Sequence, residues 1–146
     1  MMVPAAFSSL HSIPIPLTND VTVTGNVLVH RDAKLTILPG TTVFFEPDVQ
    51  LRVAGQLTAQ GTADQPIRLT RTPGGGQPWG GVQLIGSMND NRIHHAIIEH
   101  AVTHDGMIGL DNSQLELEYV TLDHTDRRRI RTENSSLIVI KSTFTE

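Results

Sequence analysis

Asn112-Ser113-Gln114-Leu115-Glu116-Leu117 returns as Asn134-Ser135-Ser136-Leu137-Ile138-Val139, at an offset of 22. Just upstream, His95-Ala96-Ile97-Ile98-Glu99-His100 is matched by Tyr119-Val120-Thr121-Leu122-Asp123-His124 at an offset of 24. A period in the low twenties, with apolar and polar residues alternating inside it, is the mark of a stacked β-solenoid. The register extends into three columns of predicted strands: Val27, Leu51, Val82, Ile108, Ile130; then Leu35, Leu57, Ile93, Leu115, Leu137; then Val43, Ile67, Ile98, Leu122, Phe144. Most steps within a column stay in the low-to-middle twenties. The longer step from Leu51 to Val82 implies an inserted loop, visible as Thr72-Pro73-Gly74-Gly75-Gly76-Gln77-Pro78. Asp90, Asn112 and Asn134 align as a repeated corner, since Asx residues tolerate left-handed backbone. Ile97, Thr121 and Thr143 form an outward column of β-branched residues. Three strands per turn over five turns make an all-β chain, a parallel β-helix of about five coils. An antiparallel sandwich of equally short strands would need hairpin turns and gives no reason for same-direction repeats.

Composition supports this reading. The 146 residues suit one domain, and their 38% hydrophobic content can fill a core. Only 4% are aromatic, while 12 Gly and 8 Pro point to short elements between turns and away from a helical bundle. A net charge of −4 provides no field for gathering nucleic acid or an anionic membrane. The absence of Cys excludes a disulfide framework, a thiolate zinc site, an iron–sulfur cluster and a cysteine nucleophile. No apolar run approaches the roughly 20 residues that span a bilayer. Met1 to Phe7 contain no Lys or Arg and no continuous apolar core, so no intact signal peptide is expected.

The stretch Lys34-Leu35-Thr36-Ile37-Leu38-Pro39-Gly40-Thr41-Thr42-Val43-Phe44-Phe45 resembles the opening of bacterial right-handed β-helix repeat proteins of the pectin-lyase-like superfamily. Val53-Ala54-Gly55-Gln56-Leu57-Thr58-Ala59-Gln60-Gly61-Thr62, continuing to Pro66-Ile67, is similar to their next coil. Trp79-Gly80-Gly81-Val82 matches the segment after their first long loop, and Tyr119 to Leu122 extends the likeness. The resemblance covers about residues 21 to 146 and implies the fold and a secreted or cell-surface location. It does not imply one activity, because such proteins include lyases, hydrolases, adhesins and modules without known chemistry.

Residues 1–20 are expected to form an N-terminal cap, with Val3, Phe7 and Leu10 on one face of a short helix and Pro14 and Pro16 extending the approach to the first strand. Residues 21–146 form the β-helix, whose last predicted strand contains Phe144. The inward residues Leu137, Val139 and Phe144 are candidates for an interface. Further protein of the same chain, another subunit or a stacked copy would cover them.

Chemistry, if present, is expected from the column Glu99, Asp123, Thr145 and its neighbour His100, His124, Glu146. Stacked coils bring equivalent residues to about 4.8 Å, a spacing that suits paired carboxylates of a retaining glycosidase or ligands for Ca²⁺. Both Glu99 and His100 can face outward only at a corner. The plainer reading is a solvated edge, and no metal site is assigned. His94, His95, His100, His104 and His124 lack the spacing of a metal motif, and His95 replaces the aromatic Tyr119.

Arg127-Arg128-Arg129-Ile130-Arg131 is the only basic run. Arg127, Arg129 and Arg131 are candidates for binding an acidic polysaccharide, against the alternative of surface charge balanced by Asp126 and Glu133. Trp79 is a candidate sugar-stacking surface, although packing the loop on the coil suits its place in the motif. No phosphate-binding loop or serine-hydrolase elbow is present.

The expectation is a non-catalytic scaffold or recognition module of an extracellular or cell-surface protein, with no cofactor. Its partners are further chain, another subunit or a polysaccharide, and not nucleic acid. The competing readings are a polysaccharide lyase or glycoside hydrolase using Glu99, Asp123, His124 and Arg129, and a fibre-forming subunit. Ca²⁺ belongs to the enzymatic reading.

Overall fold

The structure, a computed structural model, describes residues 6–7, 18–74, 76–102, 106–124 and 129–145. Every strand pairing in it is parallel, and no helix occurs among the described residues. The chain winds as a β-solenoid of about five turns with three faces. The first face stacks β3 (Val27–Val29), β6 (Leu51–Val53), β9 (Val82–Ile85), β11 (Ile108–Asp111) and β13 (Ile130–Glu133).

The second face begins with β4 (Lys34–Ile37) and β7 (Gln56–Gln60) and ends with β14 (Ser136–Ile140). Between them lie the first halves of β10 (Arg92–Glu99) and β12 (Gln114–Asp123). The third face takes the second halves of these two long strands, preceded by β1 (Ala6–Phe7), β2 (Asp20–Val23), β5 (Thr42–Phe45) and β8 (Ile67–Arg71) and followed by β15 (Thr143–Phe144). His95 and Tyr119, with φ of 50° and 54°, turn β10 and β12 from one face to the next.

Inward residues alternate with outward ones because successive side chains of a strand point to opposite faces. Val21, Val23, Val43, Phe45, Leu69, Ile98 and Leu122 are all buried from the third face, and Leu57, Ile93 and Leu117 are fully buried from the second. Each coil has too little apolar surface to fold alone and buries it against its neighbours.

The first column holds residue for residue, from Val27 through Leu51, Val82 and Ile108 to Ile130. The other two are each corrected at one coil, by a slip of one inward position. Ile93 pairs with Ala59 and Leu117, so Asn91 occupies the level of Leu57 and Leu115. Leu69, not Ile67, pairs with Val43 and Ile98. Such a slip preserves the buried face, which is why alternation alone does not reveal it.

The corner column is likewise Gly86, Asn112 and Asn134, with φ of 66°, 47° and 48°; Asp90 is not part of it. Extra residues before Asn91 displace Asp90 along the chain. Asn134 Nδ2 donates to Asn112 Oδ1 at 2.5 Å, tying one corner to the next. Each corner is followed by a serine: the Ser113 and Ser135 hydroxyls accept the Ser87 and Ser113 N–H groups at 3.0 Å.

Asn91 is 1% exposed and stands in for backbone pairing. Its Oδ1 accepts the Leu57 N–H at 2.8 Å, and its Nδ2 donates to Ser87 Oγ at 2.8 Å and to the Gln114 carbonyl at 3.0 Å.

At the start of the chain, Ala6 and Phe7 are strand residues paired in parallel with Thr22 and Val23, rather than part of the expected short helix. Pairing to the open edge of β2 satisfies backbone groups that a helix would leave exposed. Val3, Leu10, Pro14 and Pro16 lie outside the described residues. In the last coil Leu137 is partly buried, while Val139 and Phe144 are 42% and 44% exposed. These three continue the columns of Leu115, Leu117 and Leu122.

Candidate functional site

The outward side chains of the third face form two rows across the coils. One runs Asp20, Thr42, Arg68, Ile97, Thr121, Thr143, and the other Thr22, Phe44, Thr70, Glu99, Asp123, Thr145. Asp20, Thr42 and Arg68 of the first row and Phe44, Thr70 and Glu99 of the second floor an open groove of about 690 Å³, walled on one side by Thr72, Pro73, Gly74 and Gly76. The inserted loop therefore turns a flat β-sheet surface into a concave one.

Glu99 lies at the centre, only 7% exposed. Arg68 grips it with two bonds, Nε to Oε2 at 2.9 Å and Nη2 to Oε1 at 3.2 Å. The Thr70 hydroxyl donates to Oε2 at 2.9 Å. Burial opposes ionisation of Glu99, but the hydrogen bonds from Arg68 and Thr70 and the Arg68 charge outweigh it and hold the carboxyl below the ordinary glutamate range. Arg71 donates to the Gly76 carbonyl at 3.0 Å and fastens the loop to the groove floor.

Glu99 and His100 are both accessible to the site because they lie at a corner. His100 and His124 have φ of 60° and 53°, and their rings lie 4.6 Å apart with a 34° tilt. Burial, aided by the Arg71 charge, lowers the His100 pKa and favours the neutral imidazole.

Asp123 pairs with Glu99 in register. It accepts the Thr145 hydroxyl at 2.5 Å and the His124 N–H at 2.8 Å, and the His124 ring lies 3.0 Å away. The Thr145 bond leads the effects that depress the Asp123 pKa, over an opposing effect of burial. Both carboxylates of the column thus favour their ionised forms.

Glu99, His100 and His124 place one donor atom each within 4.8 Å of one another. Two imidazoles and a carboxylate already bonded to Arg68 are a poor match for Ca²⁺, which takes six to eight oxygen ligands. The His95 and Tyr119 rings stack at 4.7 Å, with Lys141 Nζ 5.4 Å from the Tyr119 centroid, so the aromatic substitution read from sequence is a real stacking column.

Trp79 corrects the expectation of a sugar-stacking surface. It is fully buried, stacks on Phe45 at 4.1 Å and 7°, and donates its indole N–H to the Glu99 carbonyl at 2.7 Å. Its role is to seat the returning loop against the coil that carries Glu99. Arg131 bonds Asp111 at 2.8 Å and Glu133 at 3.0 Å, on a different face from the groove. Arg129 is partly buried just before β13. Arg127, Arg128, Asp126, His104 and Glu146 lie outside the described residues.

Sequence reading missed Arg68, Thr70 and Phe44 as site residues. Alternation around Ile67 and Leu69 marks Arg68 and Thr70 as outward, but in the observed register Arg68 pairs with Ile97 and Thr70 falls level with Glu99, so Arg68 reaches Glu99 diagonally from one row to the other. No helix among the described residues is long and apolar enough to cross a membrane.

Parallel coils, left-handed corners and a groove beside the longest turn define the class: a parallel β-helix of the pectin-lyase-like kind. The pectate-lyase-like beta helix domain family matches residues 11–135, and the chain belongs to that family. No curated protein and no solved structure matches the chain.

Proposed function

We propose that the protein is a non-catalytic recognition module of an extracellular or cell-surface protein, and that the groove beside the Thr72–Gly76 loop takes a neutral polysaccharide. The observation that carries this reading is the Arg68–Glu99 pair. A carboxylate held ionised by a forked guanidinium is an acceptor and a fixed point of shape, not a proton donor. Asp20 and Glu99 balance Arg68 and Arg71 among the groove residues, which favours a neutral ligand over an acidic one. Phe44 offers an apolar face, and Thr42 and Thr72 offer hydroxyl groups beside it. Such a mixture of apolar surface with a few polar groups suits a sugar chain. Family membership supports an extracellular setting.

The test is calorimetric titration with a panel of neutral and acidic polysaccharides, alongside assays for new reducing ends and unsaturated products. The expected result is binding to a neutral polymer without turnover, weakened about tenfold by Phe44→Ala, or about 1.4 kcal/mol. Binding to none of the polymers, or turnover lost in Glu99→Gln, would overturn the reading.

A further inference from the structure

The second face carries a separate cluster. His94 pairs with Glu118 across β10 and β12, and Glu116 lies two positions before Glu118 on the same side of its strand. His94 Nε2 is 2.6 Å from Glu116 Oε2 and 3.8 Å from Glu118 Oε2. One imidazole nitrogen and two carboxylate oxygens thus converge, each pair within 4.8 Å. We propose that His94, Glu116 and Glu118 bind a divalent transition metal of the zinc class, clamping the third coil to the fourth.

The donor chemistry selects this class. Zinc accepts mixed imidazole and carboxylate ligands at roughly 2.0–2.1 Å, and tetrahedral bonds of that length put donors about 3.3 Å apart. The approach of His94 to Glu116 has to open slightly and its approach to Glu118 has to close, both within the reach of side-chain torsions. The ligands are also available. Neither glutamate is bonded to a Lys or Arg among the described residues: Arg92 is tied to Asp90 at 2.9 Å, and Lys141 donates to the Tyr119 hydroxyl at 3.1 Å. Glu99 in the other His-containing cluster is held by Arg68 instead.

The framework is rigid where it matters. Ile93 and Leu117, the inward neighbours of His94, Glu116 and Glu118, are fully buried and paired with each other. The equivalent outward residues in the adjoining coils are Thr58 and Gln60 on one side and Ile138 and Ile140 on the other. The cluster is therefore confined to two coils and is not a general acidic coating of the face. Water would complete the coordination shell of a metal held by three protein groups.

Titration of the metal-free protein with Zn²⁺ by calorimetry, and with Co²⁺ by visible absorption, tests the site. One equivalent is expected at this cluster, with a rise in thermal midpoint and a shift of the His94 ring resonances. His94→Ala and the milder Glu118→Gln should each weaken that binding by about tenfold or more. His124→Ala should leave it unchanged. Circular dichroism establishes that each variant retains its strands. No Zn²⁺ binding by the wild type, or binding that survives both cluster variants, overturns the proposal. Binding abolished by His124→Ala does the same, by placing the metal at the other corner.

Discussion

Replacing Arg68 by Met tests the electrostatic centre of the groove, because Met keeps an apolar stem and removes the guanidinium. The Arg68 side chain is 51% exposed, whereas that of Glu99 is 9% exposed. Breaking a fully buried pair costs roughly 3–5 kcal/mol, and an exposed pair contributes about 0–1 kcal/mol. The half-exposed arginine places the expected loss between these limits, at about 1.5–3 kcal/mol at pH 7. Urea unfolding followed by Trp79 fluorescence measures it, since the single tryptophan stacks in the core and bonds to the Glu99 backbone. Far-ultraviolet circular dichroism should give the same midpoint if the coils unfold together.

The pH dependence gives the sharper result. In the wild type the folded-state pKa of Glu99 is depressed. Its stabilising contribution is present above the unfolded-state value and is lost as pH falls through the folded value. Burial is already the largest single effect on Glu99; without Arg68 it is opposed only by the Thr70 bond and the His100 charge, so the folded-state pKa rises and acidification relieves the variant. The stability gap should therefore narrow between pH 7 and pH 4, and Glu99→Gln should recover part of the loss in the Arg68→Met background. A loss under about 0.5 kcal/mol at pH 7 would refute the placement of this pair in the groove. A gap independent of pH would refute the assignment to Glu99.

Asn91→Ala leaves the Leu57 N–H and Gln114 carbonyl without their partner and should cost about 2–4 kcal/mol, read as a lower urea midpoint at unchanged slope. Gly55→Ala sets a methyl group against the carbonyl oxygens of Ala33 and His30, and should reduce soluble yield and lower the thermal midpoint far more than Gly74→Ala. Gly74 has open space around it and only its φ of +85° to penalise a side chain, at about 1 kcal/mol. Trp79→Phe keeps the ring against Phe45 but drops the indole bond to Glu99, with an expected loss of about 1–2 kcal/mol in urea unfolding followed by far-ultraviolet circular dichroism, since the variant has no tryptophan to report.

The solenoid was legible because its evidence is local and repeated. Pairs such as Val27 with Leu51 and Ile108 with Ile130 sit at a nearly constant spacing, and alternation names their buried face. The register around Ile67 and Asn91 was not, since a strand slipped by one inward position buries the same face and satisfies the same pattern. Asn91 illustrates the difficulty: a buried amide takes a leucine level because local extra residues pull the backbone out of its ladder. The Ser87–Ser113–Ser135 ladder left a trace in the sequence, a serine after each left-handed corner, but its bonds depend on the coil rise.

The candidate site depended on the least regular part of the chain. Repetition places Glu99 over Asp123, and that much of the column was readable from residues 95–124. Arg68 reaches Glu99 only after the long excursion between β8 and β9, whose length is irregular and whose path periodicity does not predict. Yet this same excursion supplies the wall of the groove and delivers Trp79 to the backbone of Glu99. The repeats thus build the flat surface, and the interruption gives it concavity and a charge partner. A shortened loop that kept Trp79-Gly80-Gly81 should preserve the fold while removing the wall. On the proposed reading it should abolish polysaccharide binding in calorimetry with little change in thermal midpoint. Retained binding by such a variant would locate recognition on another face.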